Sequence, residues 1–241
     1  MSKNRISVCI ATFNGALFIE EQIRSVLSQL SIDDEIIISD DSSTDETLAI
    51  IKSINDPRIH ILPVVSFKNP IFNFENSLKA ATGEYIYLCD QDDVWLPNKV
   101  SYVQNLFQNT NVDLILSDCK VVDTNLKVIH QSYRALYKFR KSILQIFLLN
   151  PYLGCCMAFR KRIFNKVLPF PKFIPMHDIW IGSICELFFN VTVIEEPLML
   201  YRRHSANATP YTASSQSKNS WPKKIMFRIN MLRGLFFALF R

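Results

Sequence analysis

Hydrophobic positions along this chain change their period repeatedly, and each change marks an element. The run from Ile6 to Ala11 is apolar except for Ser7, as in a buried strand. After Thr12-Phe13-Asn14-Gly15, the residues Ile19, Ile23, Val26, Leu27 and Leu30 recur at the spacing of one helix face. Glu35 to Ser39 predicts a second strand, and Ser43 and Glu46 fit a capping box ahead of Leu48, Ile51 and Ile54. A short strand over Arg58 to Leu62, a helical stretch through Phe74, Leu78 and Ala81 ended by Gly83, and a strand from Tyr85 to Cys89 follow. Strands alternating with helices predict an α/β fold, a mixed, mostly parallel sheet flanked by helices, with right-handed crossovers bringing the strand ends to one edge.

The second half alternates less strictly. A helix is predicted through Val100, Val103, Leu106 and Phe107, then two strands at Asp113–Ser117 and Cys119–Val122, a helix over Ser142–Leu149 and a buried strand from Gly154 to Phe159. Pro169, Pro171 and Pro175 rule out regular structure before His177-Asp178, which open a helix carrying Ile181, Ile184, Cys185 and Phe188. Val191–Ile194 and Pro197–Tyr201 read as two more strands, the second running into Arg202-Arg203-His204. Residues 1–204 are expected to form one domain, 205–220 a flexible polar loop able to close over a bound ligand, and 221–241 a basic amphipathic tail for a membrane surface or a partner.

Composition narrows the function. With 241 residues, 49% of them hydrophobic, the chain can bury a large core. Its net charge of +5 is modest, and the basic residues are spread until the C-terminal part, so no nucleic-acid partner is expected. Six cysteines without a Cys-x-x-Cys pair suit reduced, buried thiols in a cytoplasmic protein, and neither a signal peptide nor a membrane span is expected. The five glycines are scattered and form no dinucleotide fingerprint or P-loop, so any phosphate must be held by a metal and basic side chains.

The strand at Tyr85 to Cys89 empties directly into Asp90-Gln91-Asp92-Asp93, where open α/β sheets place ligands. Carboxylates this close repel unless something positive lies between them, and oxygen ligands suit Mn²⁺ or Mg²⁺ bound with a substrate diphosphate. An acidic loop leading the helix near Pro97 is the plainer alternative. Asp178 stands at or next to a helix N-cap, and capping alone would explain an aspartate there.

Taken in order, Ser7–Asn14, Ser39–Asp45 and Asp90-Gln91-Asp92 resemble the first strand, second strand and Asp-x-Asp motif of family 2 glycosyltransferases with the GT-A fold, a likeness running from Ile6 to about Asn207. The string Asp90–Trp95, Gly154–Arg160 and Tyr201–His204 is similar to bacterial rhamnosyl- and galactosyltransferases of surface polysaccharide synthesis. The resemblance implies a nucleotide-sugar-binding half at 1–110 and an acceptor-side half at 111–204. It implies an inverting transfer from a nucleotide diphosphate sugar, dTDP-L-rhamnose ahead of UDP-galactose, to a saccharide acceptor, expected to be lipid-linked. The protein would then sit peripherally on the cytoplasmic face of the inner membrane. Asp178 would be the catalytic base; Thr12, Phe13, Asn14, Asp41, Asp90, Arg202 and Arg203 would bind the nucleotide sugar; Asp92 and His204 would hold the metal. Trp95 and His177 are the candidates for the acceptor.

Two other classes compete. A nucleotidyltransferase should carry a glycine-rich phosphate loop after the first strand, and Thr12–Gly15 is not one. A non-catalytic sugar-binding subunit of a membrane-associated assembly complex would need no base, so Asp178 beside Asp92 speaks against it.

Overall fold

The computed structural model describes residues 5–137, 152–204 and 221–240. The first half is built as β1 (Ile6–Thr12), α1 (Ile19–Leu27), β2 (Glu35–Asp40), α2 (Thr47–Ile54), β3 (Ile59–Ile61), α3 (Pro70–Ala80) and β4 (Tyr85–Cys89). All four strands are parallel, in the order β3-β2-β1-β4. Both faces of β1, β2 and β4 are covered, so their side chains are buried at almost every position; that is why they read as continuous apolar runs rather than alternating ones.

The second half adds β5 (Val94–Trp95), α4 (Lys99–Asn109), β6 (Leu114–Val122), β7 (Val128–His130), α5 (Tyr133–Tyr137), β8 (Met157–Arg160), α6 (Phe164–Val167), α7 (His177–Phe188), β9 (Val191–Arg202) and α8 (Trp221–Leu239). The sheet continues β4-β8-β6-β9-β5, with β7 paired to β6. Strand β8 is antiparallel to both neighbours, and β6 and β9 are again parallel.

Four local readings are corrected. Asp113–Ser117 and Cys119–Val122 belong to one strand, as do Val191–Ile194 and Pro197–Tyr201; the register between β6 and β9 shifts around Asp118, and such bulges carry a polar residue through a strand that a periodicity reading breaks. Gly154–Cys156 is a 3₁₀ turn before β8 rather than its first residues. The capping box is not made: the Ser43 hydroxyl donates to Asp40 at 2.6 Å, and Asp45 accepts the Thr47 N–H at 3.0 Å. Helix α3 ends at Ala80, ahead of Gly83. The expected helix at Ser142–Leu149 and the polar loop at 205–220 lie outside the described residues.

Candidate active site

Strand order reverses between β1 and β4, since β1 is followed by β2 on one side while β4 leads to the other half of the sheet. Such a switch point leaves a crevice beyond the strand ends. The loops after β1 and β4 line it and are tied by one side chain: Gln91 accepts from the Phe13 N–H at 2.9 Å and donates to the Phe13 carbonyl at 3.0 Å. Gly15 lets this happen, because a Cβ there would stand 2.4 Å from Gln91 Oε1. Three non-glycine residues on the rim, Asn14, Ser42 and Lys68, have left-handed backbone with φ of 48°, 63° and 50°, a conformation that costs free energy and clusters at functional sites.

The nucleotide-side residues fall into two groups. Phe13 leaves its ring 55% exposed over the crevice, the right disposition for a flat ligand. Thr12, by contrast, is fully buried and donates to Asp40 at 2.7 Å, so its side chain sets the loop rather than touching a ligand. Asn14 is also a loop residue, accepting the Thr44 N–H at 2.8 Å. Asp41 is buried and wrapped by the chain before α3: its Oδ1 accepts from Phe67 and Lys68 N–H at 2.6 and 2.8 Å, and its Oδ2 from Asn69 N–H at 3.0 Å.

At the end of β4 the acidic residues diverge in role. Short strand β5 pairs antiparallel with β9, Val94 opposite Leu200, and so brings the end of β9 back to the acidic loop. Asp93, fully buried, accepts the Arg202 N–H at 2.9 Å. Asp92 Oδ2 lies 2.8 Å from His204 Nε2, whose ring sits 4.8 Å from that of Phe18. Asp90 faces Asp92 and Asp178; burial first, then those two carboxylates, raise its pKa to about 7. Among the described residues, ligand atoms of Asp90, Asp93 and Cys155 lie within 4.8 Å of one another, but burial pushes the Cys155 thiol well up, which leaves the carboxylates as the usable donors there. Clustered carboxylates whose charge is resisted in this way, with an imidazole alongside, fit a divalent cation such as Mn²⁺ or Mg²⁺.

Arg202 is corrected as a direct ligand of the donor. It is 3% exposed and each guanidinium nitrogen already donates within the protein: Nε to the Asp92 carbonyl at 2.8 Å, Nη1 to the Thr124 carbonyl at 2.8 Å, and Nη2 to Glu21. The guanidinium also lies over Phe18, 4.6 Å from the ring centre. It therefore positions the acidic loop. Replacing Arg202 with methionine is expected to destabilise the fold by about 2–4 kcal/mol, because buried acceptors lose their donor, and a thermal melt falling by less than a degree would contradict this role. Arg203 lies against Tyr201, donating to its hydroxyl at 2.8 Å.

Helix α7 delivers Asp178 in its first turn, where the helix dipole favours a carboxylate. Its Oδ1 accepts the Ile179 N–H at 2.6 Å. His177 beside it is buried, with its ring 4.3 Å from Phe74, and burial lowers its pKa to about 3. Trp95 is corrected: it is 3% exposed, packed on Tyr87 and under the Lys99 ammonium at 4.5 Å, a core residue with no face for an acceptor. The sequence reading missed Gln91 as the tie between the two loops, and Glu21 and Phe18 as the partners of Arg202. Only the pairing of residues far apart in the chain reveals them.

A family model described as "Glycosyl transferase family 2" matches residues 7–168. The dTDP-rhamnosyl transferase RfbG of Shigella flexneri is 30% identical, over 91% of this chain and 83% of its own length. WfgD of Escherichia coli, a UDP-Glc:alpha-D-GlcNAc-diphosphoundecaprenol beta-1,3-glucosyltransferase, is 26% identical over 74% of this chain and 69% of its own. Two solved structures share the fold. S. aureus TarS (1–349) has a TM-score of 0.66 at 22% identity over 82% of this chain, which spans only 60% of the TarS chain. Mannosyltransferase PcManGT from Pyrobaculum calidifontis, solved with GDP-Man and Mn²⁺, has a TM-score of 0.62 at 16% identity, covering 99% of this chain and 75% of its own.

Proposed function

From its place in glycosyl transferase family 2, the family to which this chain belongs, we propose that it moves a sugar from a nucleotide diphosphate donor to a hydroxyl of a saccharide acceptor in bacterial surface polysaccharide synthesis, with inversion at the anomeric carbon. The observation that carries the reading is the convergence of Asp178 with Asp90 and Asp92 at the switch-point crevice, one carboxylate on a helix start and two on a strand end. Transfer needs a group to take the acceptor proton on one side and stabilisation of the departing diphosphate on the other.

Asp178 takes the proton of the acceptor hydroxyl as that oxygen attacks the anomeric carbon; the bond from that carbon to the diphosphate oxygen breaks with its electron pair leaving on the diphosphate. His177 is a poor rival for the proton, since a ring whose pKa lies near 3 binds one weakly at neutral pH. Phe13 would support the base and Asp41 would accept its imide N–H. Asp90 would approach the ribose or sugar, and Arg203 would add charge near the diphosphate. A divalent cation held by Asp92 and His204 would supply Lewis acidity at the diphosphate.

The name of RfbG supports a dTDP-rhamnose donor, ahead of the UDP-galactose that the motif resemblance alone suggests, and the name of WfgD supports a lipid-linked saccharide as acceptor. The protein would then work peripherally at the cytoplasmic face of the inner membrane; among the described residues no helix is long and apolar enough to cross one. The test is release of free nucleotide diphosphate from a panel of dTDP- and UDP-sugars with Mn²⁺ and a soluble saccharide acceptor, with the product's anomeric configuration read by NMR. One donor consumed with inversion is expected. Donor binding without turnover would favour the non-catalytic sugar-binding subunit, and a retained configuration would overturn the single displacement.

A further inference from the structure

We propose that the outward face of helix α8 is a docking surface for an anionic phospholipid bilayer. The assignment deepens the peripheral location proposed above by naming the surface and the lipid chemistry, and it rests on that reading.

One side of α8 is spoken for. Met231, Leu235 and Ala238 are buried, and Gly234 sits so close to Trp180 that a Cβ would stand 2.8 Å from its ring. These four recur at three and four residues, the stripe by which one helix seats on another, here α7. A helix seated on a domain ordinarily turns polar residues to water. This one does not: Ile225, Ile229, Leu232, Phe236, Phe237 and Phe240 are each at least 50% exposed. Large apolar side chains exposed together along one element mark an interaction surface, whereas single exposed ones need no explanation. The cation among them, Arg233, lays its guanidinium over Phe173 and Phe237, 4.8 and 6.0 Å from the ring centres, a cation–π arrangement that keeps the charge on the aromatic face.

Charge selects the occupant. From Trp221 to Arg241 the chain carries no aspartate or glutamate, whereas Lys223, Lys224, Arg228, Arg233 and Arg241 are all cationic. Those five cations equal the whole net charge of +5, the remainder of the chain carrying as many acidic as basic residues. A stretch of sequence that is basic and forms a helix with an exposed apolar face matches a bilayer whose headgroups are negative and whose acyl boundary takes Phe, Leu and Ile side chains. The helix does not qualify as a membrane span, so it lies in the plane of the interface. The helix under it, α7, is the one that presents Asp178.

The test is flotation of the full chain with vesicles of phosphatidylglycerol and phosphatidylcholine, or of phosphatidylcholine alone. Wild type is expected to bind the anionic vesicles about tenfold or more better than the neutral ones, and to be released by salt. The double variant Leu232→Asp, Phe236→Asp should lose about tenfold of that binding while keeping its melting temperature, because both side chains are exposed. Folded wild type that stays unbound, binding untouched by the double variant, or a stable dimer in sedimentation that the double variant dissolves would each overturn the proposal. Vesicle binding that the double variant abolishes, in a protein that transfers no sugar to a soluble acceptor, would support the surface and overturn the function proposed above.

Discussion

Asp178→Asn is expected to lower kcat by about 10²- to 10⁴-fold, the usual contribution of a positioned general base, with donor affinity close to wild type. Asparagine keeps the shape and can still accept the Ile179 N–H that Asp178 accepts at 2.6 Å, so the start of α7 should survive. What it loses is the ability to take a proton. A structural role predicts the opposite pattern: a lowered melting temperature with little effect on the activity of the folded fraction. Because His177 beside it is held neutral by burial with a pKa near 3, no neighbouring imidazole is available to take over. Residual turnover should therefore not rise at neutral pH, and a pH–rate profile that recovers there would remove Asp178 from the base role.

Asp92→Ala is expected to abolish the Mn²⁺ dependence of donor binding by calorimetry and to reduce turnover by about two to three orders of magnitude, comparable to loss of a group that stabilises developing charge. His204→Ala should act in the same direction with a smaller effect. The metal affinity should also depend on pH. A proton sits on Asp90 below about pH 7 because burial and the carboxylates of Asp92 and Asp178 oppose its charge; that proton removes a negative charge beside the Asp92–His204 pair, so the apparent cation affinity should fall as pH drops below that value and level off above it. The sign reverses for the metal-free fold. Asp90 binds its proton more tightly folded than unfolded, so stability without metal should decline as pH rises from about 4 to about 7. Metal-independent donor binding in wild type would refute the metal role.

The parts of this molecule that were legible in the sequence share a physical reason. Strands β1, β2 and β4 are buried on both faces, and only continuous apolar runs satisfy that. The acidic loop was legible because carboxylates so close together need an explanation. What escaped depended on non-local pairing. Two-residue strand β5 carries no periodicity, yet it brings His204 to Asp92. Trp95 reads as an acceptor candidate by its place after the acidic loop although such a tryptophan more often packs than stacks on sugar, and its burial under Lys99 is invisible locally. Arg202 reads as a phosphate-side residue because a guanidinium can add charge to a diphosphate, though its side chain ends on Glu21, separated by 181 positions.

That last contact says something about how the protein must be made. The acidic loop leaves a ribosome early, near residue 90, but its clasp is the side chain of residue 202. Contacts of such long sequence separation form late, and the nascent first half would wait with Asp93 and Glu21 unmatched while more than a hundred further residues are synthesised. Truncations that stop before β9 should accumulate as chaperone-bound or degraded chains rather than as a folded nucleotide-binding fragment.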